Sequence, residues 1–117
     1  MHQNNKPALL CIDDEQSVLN SLIFQLRDNL GDQYVYEAAM SADEALDVME
    51  DLKNNNTEIL VVVSDYIMPC MKGDELLIKI YNKYPDIIKI MLTGQATLEG
   101  VINAINNAKI YRYIAKP

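Results

Sequence analysis

Residues 58–65 read EILVVVSD. Apolar side chains fall on both faces of this run, so a strand made from it must be covered on both sides. That pattern marks the centre of a parallel sheet rather than a half-solvated antiparallel one. The rest of the chain alternates in the same sense. ALLCI at 8–12 is another short apolar run. Helical spacing over 15–30 places Val18, Leu19, Leu22, Ile23, Leu26 and Leu30 on one face, and Gly31 supplies a stop. YVYEAA at 34–39 alternates weakly and reads as an edge strand. Ser41 followed by Glu44 has the spacing of a capping box and opens a helix to about Asn54. Gly73 and Asp74 open a further helix, which Pro85 closes near Tyr84. IIKIMLT at 87–93 is the fourth strand. A helix near 96–108 carries Val101, Ile102, Ala104, Ile105 and Ala108, and YRYIA at 111–115 is the fifth strand. Strict alternation predicts an α/β fold: a doubly wound parallel sheet of five strands with right-handed crossovers.

The 117 residues suit one domain spanning 1–117. No run approaches the roughly 20 apolar residues of a membrane span, and the polar start MHQNNKP has no signal-peptide core. The expectation is a cytoplasmic protein without a membrane partner. A net charge of −7 argues against direct binding of nucleic acid, because phosphate binding wants a basic face. Cys11 and Cys70 are too few and too far apart for a disulfide scaffold or a zinc site. Cys11 reads as a small core residue.

In doubly wound sheets, ligands bind beyond the carboxyl ends of the strands. The residues found there are Asp13 and Asp14 after the first strand, Asp65 after the third, Thr93 and Gly94 after the fourth, and Lys116 after the fifth. Three carboxylates brought together repel unless a cation joins them. All-oxygen donors suit Mg²⁺ or Mn²⁺ better than zinc. Such an ion also takes an oxygen from a phosphate, while Lys116 and the Thr93 hydroxyl have the chemistry to hold others. A carboxylate can itself accept a phosphoryl group as an acyl phosphate, and Asp65, on the central strand, is the candidate. Taken singly, each residue has a plainer reading. Asp13-Asp14 suits the cap of the first helix, and Asp65 suits a turn. The conjunction at four strand ends, in this order, outweighs those readings.

IDDE after the first strand, SDYIMPCMKG after the third, MLTG after the fourth and YRYIAKP at the fifth resemble the response-regulator receiver domain of two-component signalling. The resemblance covers essentially the whole chain. It implies the flavodoxin-like strand order 2-1-3-4-5, with Asp65 as phosphoacceptor. It implies Mg²⁺ held by Asp14, Asp65 and the Ile67 backbone carbonyl, with Asp13 acting mostly through water. Thr93 and Lys116 would hold the phosphoryl group, and Tyr113 stands where the family carries its switch aromatic. Ile67 and Gln95, two residues after Asp65 and Thr93, would flank the phosphoryl group and tune its lifetime. The implied partner is a histidine kinase or histidine phosphotransfer protein, and the implied role is a signalling phosphoacceptor rather than an enzyme. The family continues into a fifth helix, whereas this sequence stops at Pro117. The expectation is therefore a fragment of a longer protein, or self-association or a partner over the face beside the first helix.

Other readings are weaker on the residues. An aspartyl-phosphate phosphatase wants an Asp-x-Asp pair, and here Asp65-Tyr66-Ile67 lacks it. A flavodoxin wants a Ser/Thr/Gly-rich loop where this chain has DDEQ. A receiver-like interaction domain never regulated by phosphorylation remains as the alternative, although all its functional positions are intact.

Overall fold

The computed structural model describes residues 6–65, 73–92 and 112–114. The strands are β1 (Ala8–Ile12), β2 (Val35–Ala39), β3 (Ile59–Asp65), β4 (Ile88–Leu92) and β5 (Arg112–Ile114). The helices are α1 (Gln16–Leu30), α2 (Ala42–Asn54) and α3 (Gly73–Lys83). All strand pairs are parallel and the order is β2-β1-β3-β4-β5. This is the doubly wound sheet expected from the alternation, in the flavodoxin-like order. The strand limits lie within a residue of those read from the sequence. The helix expected near 96–108 and the Met68-Pro69 turn lie outside the described residues.

Local chemistry sets the start of α2 and the end of α1. At α2, the Ser41 side chain accepts a hydrogen bond from the Glu44 N–H at 3.1 Å. The returning bond of the capping box is shifted by one residue, because the Glu44 carboxylate accepts from the Met40 N–H instead of that of Ser41. At the end of α1, Gly31 has φ 81, a conformation open to glycine, and its N–H reaches the Arg27 carbonyl. The Tyr36 hydroxyl then donates to the Gly31 carbonyl at 2.7 Å, and the Arg27 guanidinium lies 5.0 Å from the centre of the Tyr36 ring. These contacts tie the first helix to the edge strand.

The two faces of the sheet are filled unequally. On one, Leu10, Ile12, Val62 and Met91 pack with Ala45, Met49, Leu76 and Ile80 from α2 and α3, all of them buried. On the other, Cys11, Val63 and Leu19 are buried, while Leu22, Ile23, Leu26, Val61 and Ile90 are only partly covered. A bulge keeps the first face consistent. Ala8 pairs with Ile59 and Leu9 with Val61, so Leu60 is the extra residue on β3. One extra residue reverses the two-residue alternation. Without it, Ile59 and Val62 would fall on opposite faces, whereas both belong to the same core.

Lys89 is a charged residue inside the core. Within this otherwise apolar strand, Lys89 is 2% exposed. Ile87, Lys89 and Met91 all point to the filled face, so alternation forces the lysine inward. Its ammonium donates to the Ile87 carbonyl at 2.7 Å and lies 5.0 Å from the centre of the Tyr81 ring. Burial pushes its pKa below the ordinary lysine value, partly opposed by the charge of Asp86.

Candidate metal centre

Strand register, not sequence distance, assembles the acidic cluster. Cys11 pairs with Val63 and Ile12 with Ser64. One further step places Asp13 level with Asp65. Asp13 lies just past β1, yet its N–H still bonds to the Ala39 carbonyl at 3.1 Å, which prolongs the ladder by one residue. Asp65 stands two residues after Val63, and Asp13 two after Cys11. Both therefore continue the α1-facing side of their strands.

Asp13 is wholly buried, Asp65 is 5% exposed and Asp14 is exposed. Carboxylate oxygens of all three lie within 4.8 Å of one another. For the buried pair, like charges at that distance repel by roughly 3 kcal/mol at an effective dielectric of about 20. Asp13 Oδ1 accepts from the Glu15 N–H at 2.9 Å, which orients that carboxylate. The Ser64 hydroxyl donates to the Asp65 carbonyl at 3.0 Å within the buried strand end. Ser64 had no role in the sequence reading. Its only signal there was a hydroxyl next to the carboxylate.

The helix-cap reading of the acidic pair is a poor account of it. The residue at the start of α1 is Glu15, and it makes no side-chain capping bond. Asp13 bonds to Glu15 two residues on, which is a local turn and not a bond to the first helical turn. The cluster is all oxygen, with two buried carboxylates backed by strands and a third open to water. That donor set fits a hard divalent cation that keeps some of its waters.

Asp13, Asp14 and Asp65 are thus brought together. Tyr113 lies in β5, paired with Met91 on β4. Ile67, Thr93, Gly94, Gln95 and Lys116 lie outside the described residues.

Comparison with known proteins yields one family. The response regulator receiver domain matches residues 9–117. The chain is 29% identical over 114 residues to the hydrogenase transcriptional regulatory protein HoxA of Cupriavidus necator, covering 97% of this chain and 22% of HoxA. It thus spans less than a quarter of that relative. It is 32% identical over 110 residues to a chemotaxis protein CheY homolog of Campylobacter jejuni, covering 92% of this chain and 80% of the homolog. Among solved structures, the signal receiver domain of an HD domain-containing protein from Pseudomonas fluorescens Pf-5 superposes with a TM-score of 0.82 at 31% identity. That match covers 100% of this chain and 80% of the other.

Proposed function

The chain belongs to the response regulator receiver domain family, and on that premise we propose that it is a phosphoacceptor that takes a phosphoryl group onto Asp65. The observation that carries this reading is the convergence of the Asp13, Asp14 and Asp65 carboxylates within 4.8 Å at the ends of two paired strands. Mg²⁺ or Mn²⁺ would be held by Asp13, Asp14 and Asp65 with the Ile67 backbone carbonyl, and would neutralise charge on the phosphoryl oxygens.

The chain's own residues carry the rest. A carboxylate oxygen of Asp65 attacks the phosphorus of a phosphohistidine on a histidine kinase or histidine phosphotransfer protein. The oxygen–phosphorus bond forms as the phosphorus–nitrogen bond breaks. The electron pair stays on the imidazole nitrogen, which takes up a proton. Asp65 suits this role because a central strand fixes its backbone, so little reorganisation is needed at the moment of transfer. Thr93 and Lys116 take the remaining phosphoryl oxygens. Thr93, drawn toward the phosphate, lets the ring of Tyr113 move inward, which presents the signal to an output domain or partner. Ile67 and Gln95 flank the phosphoryl group. Ile67 cannot hydrogen-bond an attacking water and hinders its approach, so hydrolysis is slow to intermediate. Residues 1–117 act as one receiver unit in the cytoplasm. Among the described residues, no helix is long and apolar enough to cross a membrane.

The test is labelling with a small acyl-phosphate donor and Mg²⁺, followed by trapping and mass spectrometry. Modification is expected at Asp65, and it should vanish in Asp65→Asn and on removal of Mg²⁺. Labelling that is unchanged in Asp65→Asn would remove Asp65 from its role. Failure of any labelling in the wild-type chain would favour an interaction domain that phosphorylation does not regulate.

A further inference from the structure

A cleft of about 440 Å³ lies at the amino-terminal ends of β3 and β4. Asp65 is at the other end of β3, six residues away, which is roughly 20 Å along a strand. The two features occupy opposite poles of the sheet. The volume is within the range of small-molecule sites. Ile59, Pro85 and Ile87 supply apolar wall, and Tyr84 supplies an aromatic one.

What distinguishes the cleft is where its charges point. Lys53 stands in the last turn of α2 and Lys83 in the last turn of α3. Either would complement its helix dipole in many orientations. Both instead converge on one ring. The Lys53 ammonium lies 5.3 Å and the Lys83 ammonium 5.7 Å from the centre of Tyr84. In a chain of net charge −7, two ammoniums are gathered at one ring. Two carboxylates share the rim, Glu58 and Asp86. Asp86 acts on the buried ammonium of Lys89. Glu58 is left as the opposing charge on the rim.

We propose that this cleft is a second binding site, which takes a small molecule with a flat apolar ring body and one anionic group. The ring body lies against the exposed Pro85 and the half-buried Tyr84, with the buried Ile59 and Ile87 behind them, and so removes apolar surface from water. The anionic group meets Lys53 and Lys83, whose ammoniums both lie near the Tyr84 ring. The cleft is independent of the role of Asp65.

Two dyes separate charge from shape: anilinonaphthalene sulfonate, and N-phenylnaphthylamine, which has the same rings without the sulfonate. The sulfonate dye should bind the full chain saturably at low salt. Its amide chemical-shift changes should be confined to 57–60 and 84–88. Lys53→Gln with Lys83→Gln should weaken it roughly tenfold, on the scale of two surface charge pairs, and leave the neutral dye unchanged. Glu58→Gln should tighten it. Equal weakening of both dyes, unchanged binding of the sulfonate dye, or shifts centred on Leu22, Ile23 and Leu26 would each overturn the proposal.

Discussion

The two faces of the sheet are built from the same strands and filled to different degrees. On the side of α2 and α3, the core is continuous from Ala8 to Met91, and Leu10, Ile12, Met49, Leu76 and Ile80 are fully buried. On the side of α1, among the described residues, the buried apolar cluster is Cys11, Leu19 and Val63. Ile90 and Val61 are half-covered and Ile88 is 41% exposed. Asp13 and Asp65 continue the α1-facing side. The acidic cluster therefore sits at the end of the thinner layer, while most of the buried apolar area is on the other. Most of the buried apolar side chains described and the acidic cluster thus belong to opposite faces of one sheet.

Truncation of the filled core tests this contrast most severely. Met49→Ala or Ile80→Ala should lose about 2–5 kcal/mol, because a closed core leaves a cavity that its walls cannot collapse to fill. Ile90→Ala, on the thinner face, should lose less than half as much. Urea denaturation of the three variants measures both. Equal losses would mean that the α1 side is as well packed as the other.

Thiol exchange probes the same contrast dynamically. Burial pushes the Cys11 thiol up to about 12, so the native state offers almost no thiolate at neutral pH. Labelling then reports opening. In a Cys70→Ser chain, Cys11 should react through a partial opening of α1 that costs about 1–2 kcal/mol less than global unfolding. A cysteine at Val62 on the filled face, in a chain lacking both native cysteines, should react only through global unfolding. Identical opening energies at the two positions would erase the distinction.

Charge removal at the edge should act in the opposite direction to core truncation. Asp14→Ala relieves repulsion within the cluster and should raise the metal-free Tm by roughly 3 °C. Mg²⁺ should stabilise the wild-type chain and leave this variant unchanged. A lower Tm for Asp14→Ala would show that the residue chiefly supports the start of α1.

The smallest effect is expected at Lys89, a buried charge within the filled face. Its folded-state pKa lies below the ordinary lysine value because burial disfavours the ammonium. Between the lowered and the ordinary value, the folded chain binds fewer protons than the unfolded one. Stability contributed by this group therefore rises with pH across that alkaline window. The difference in stability between the wild-type chain and Lys89→Met should shift toward the wild type as pH rises there. A difference that is flat with pH would mean that the buried ammonium is as well solvated as an exposed one.

Much of this molecule is legible in short stretches of sequence. The apolar runs at 8–12 and 58–65 become strands, and the spacing from Val18 to Leu30 becomes α1. Ser41 and Gly31 mark helix ends through bonds that reach only a few residues. Period, capping and chain stops are local, so neighbouring residues suffice to determine them. The placement of Asp13, Asp14 and Asp65 just after apolar runs is legible for the same reason. Their approach to within 4.8 Å is not, because it depends on β1 pairing with β3 in the register that aligns Ile12 with Ser64. Strand order likewise follows from long-range packing, and the residues alone suggested it only through a family resemblance. The inward turn of Lys89 required knowing which face its strand would present to α2 and α3, since alternation sets parity but not direction. The meeting of Lys53 and Lys83 at Tyr84 required two helix ends to be docked side by side. Local free energies chose the elements; the burial of apolar area between distant segments chose which side chains would meet.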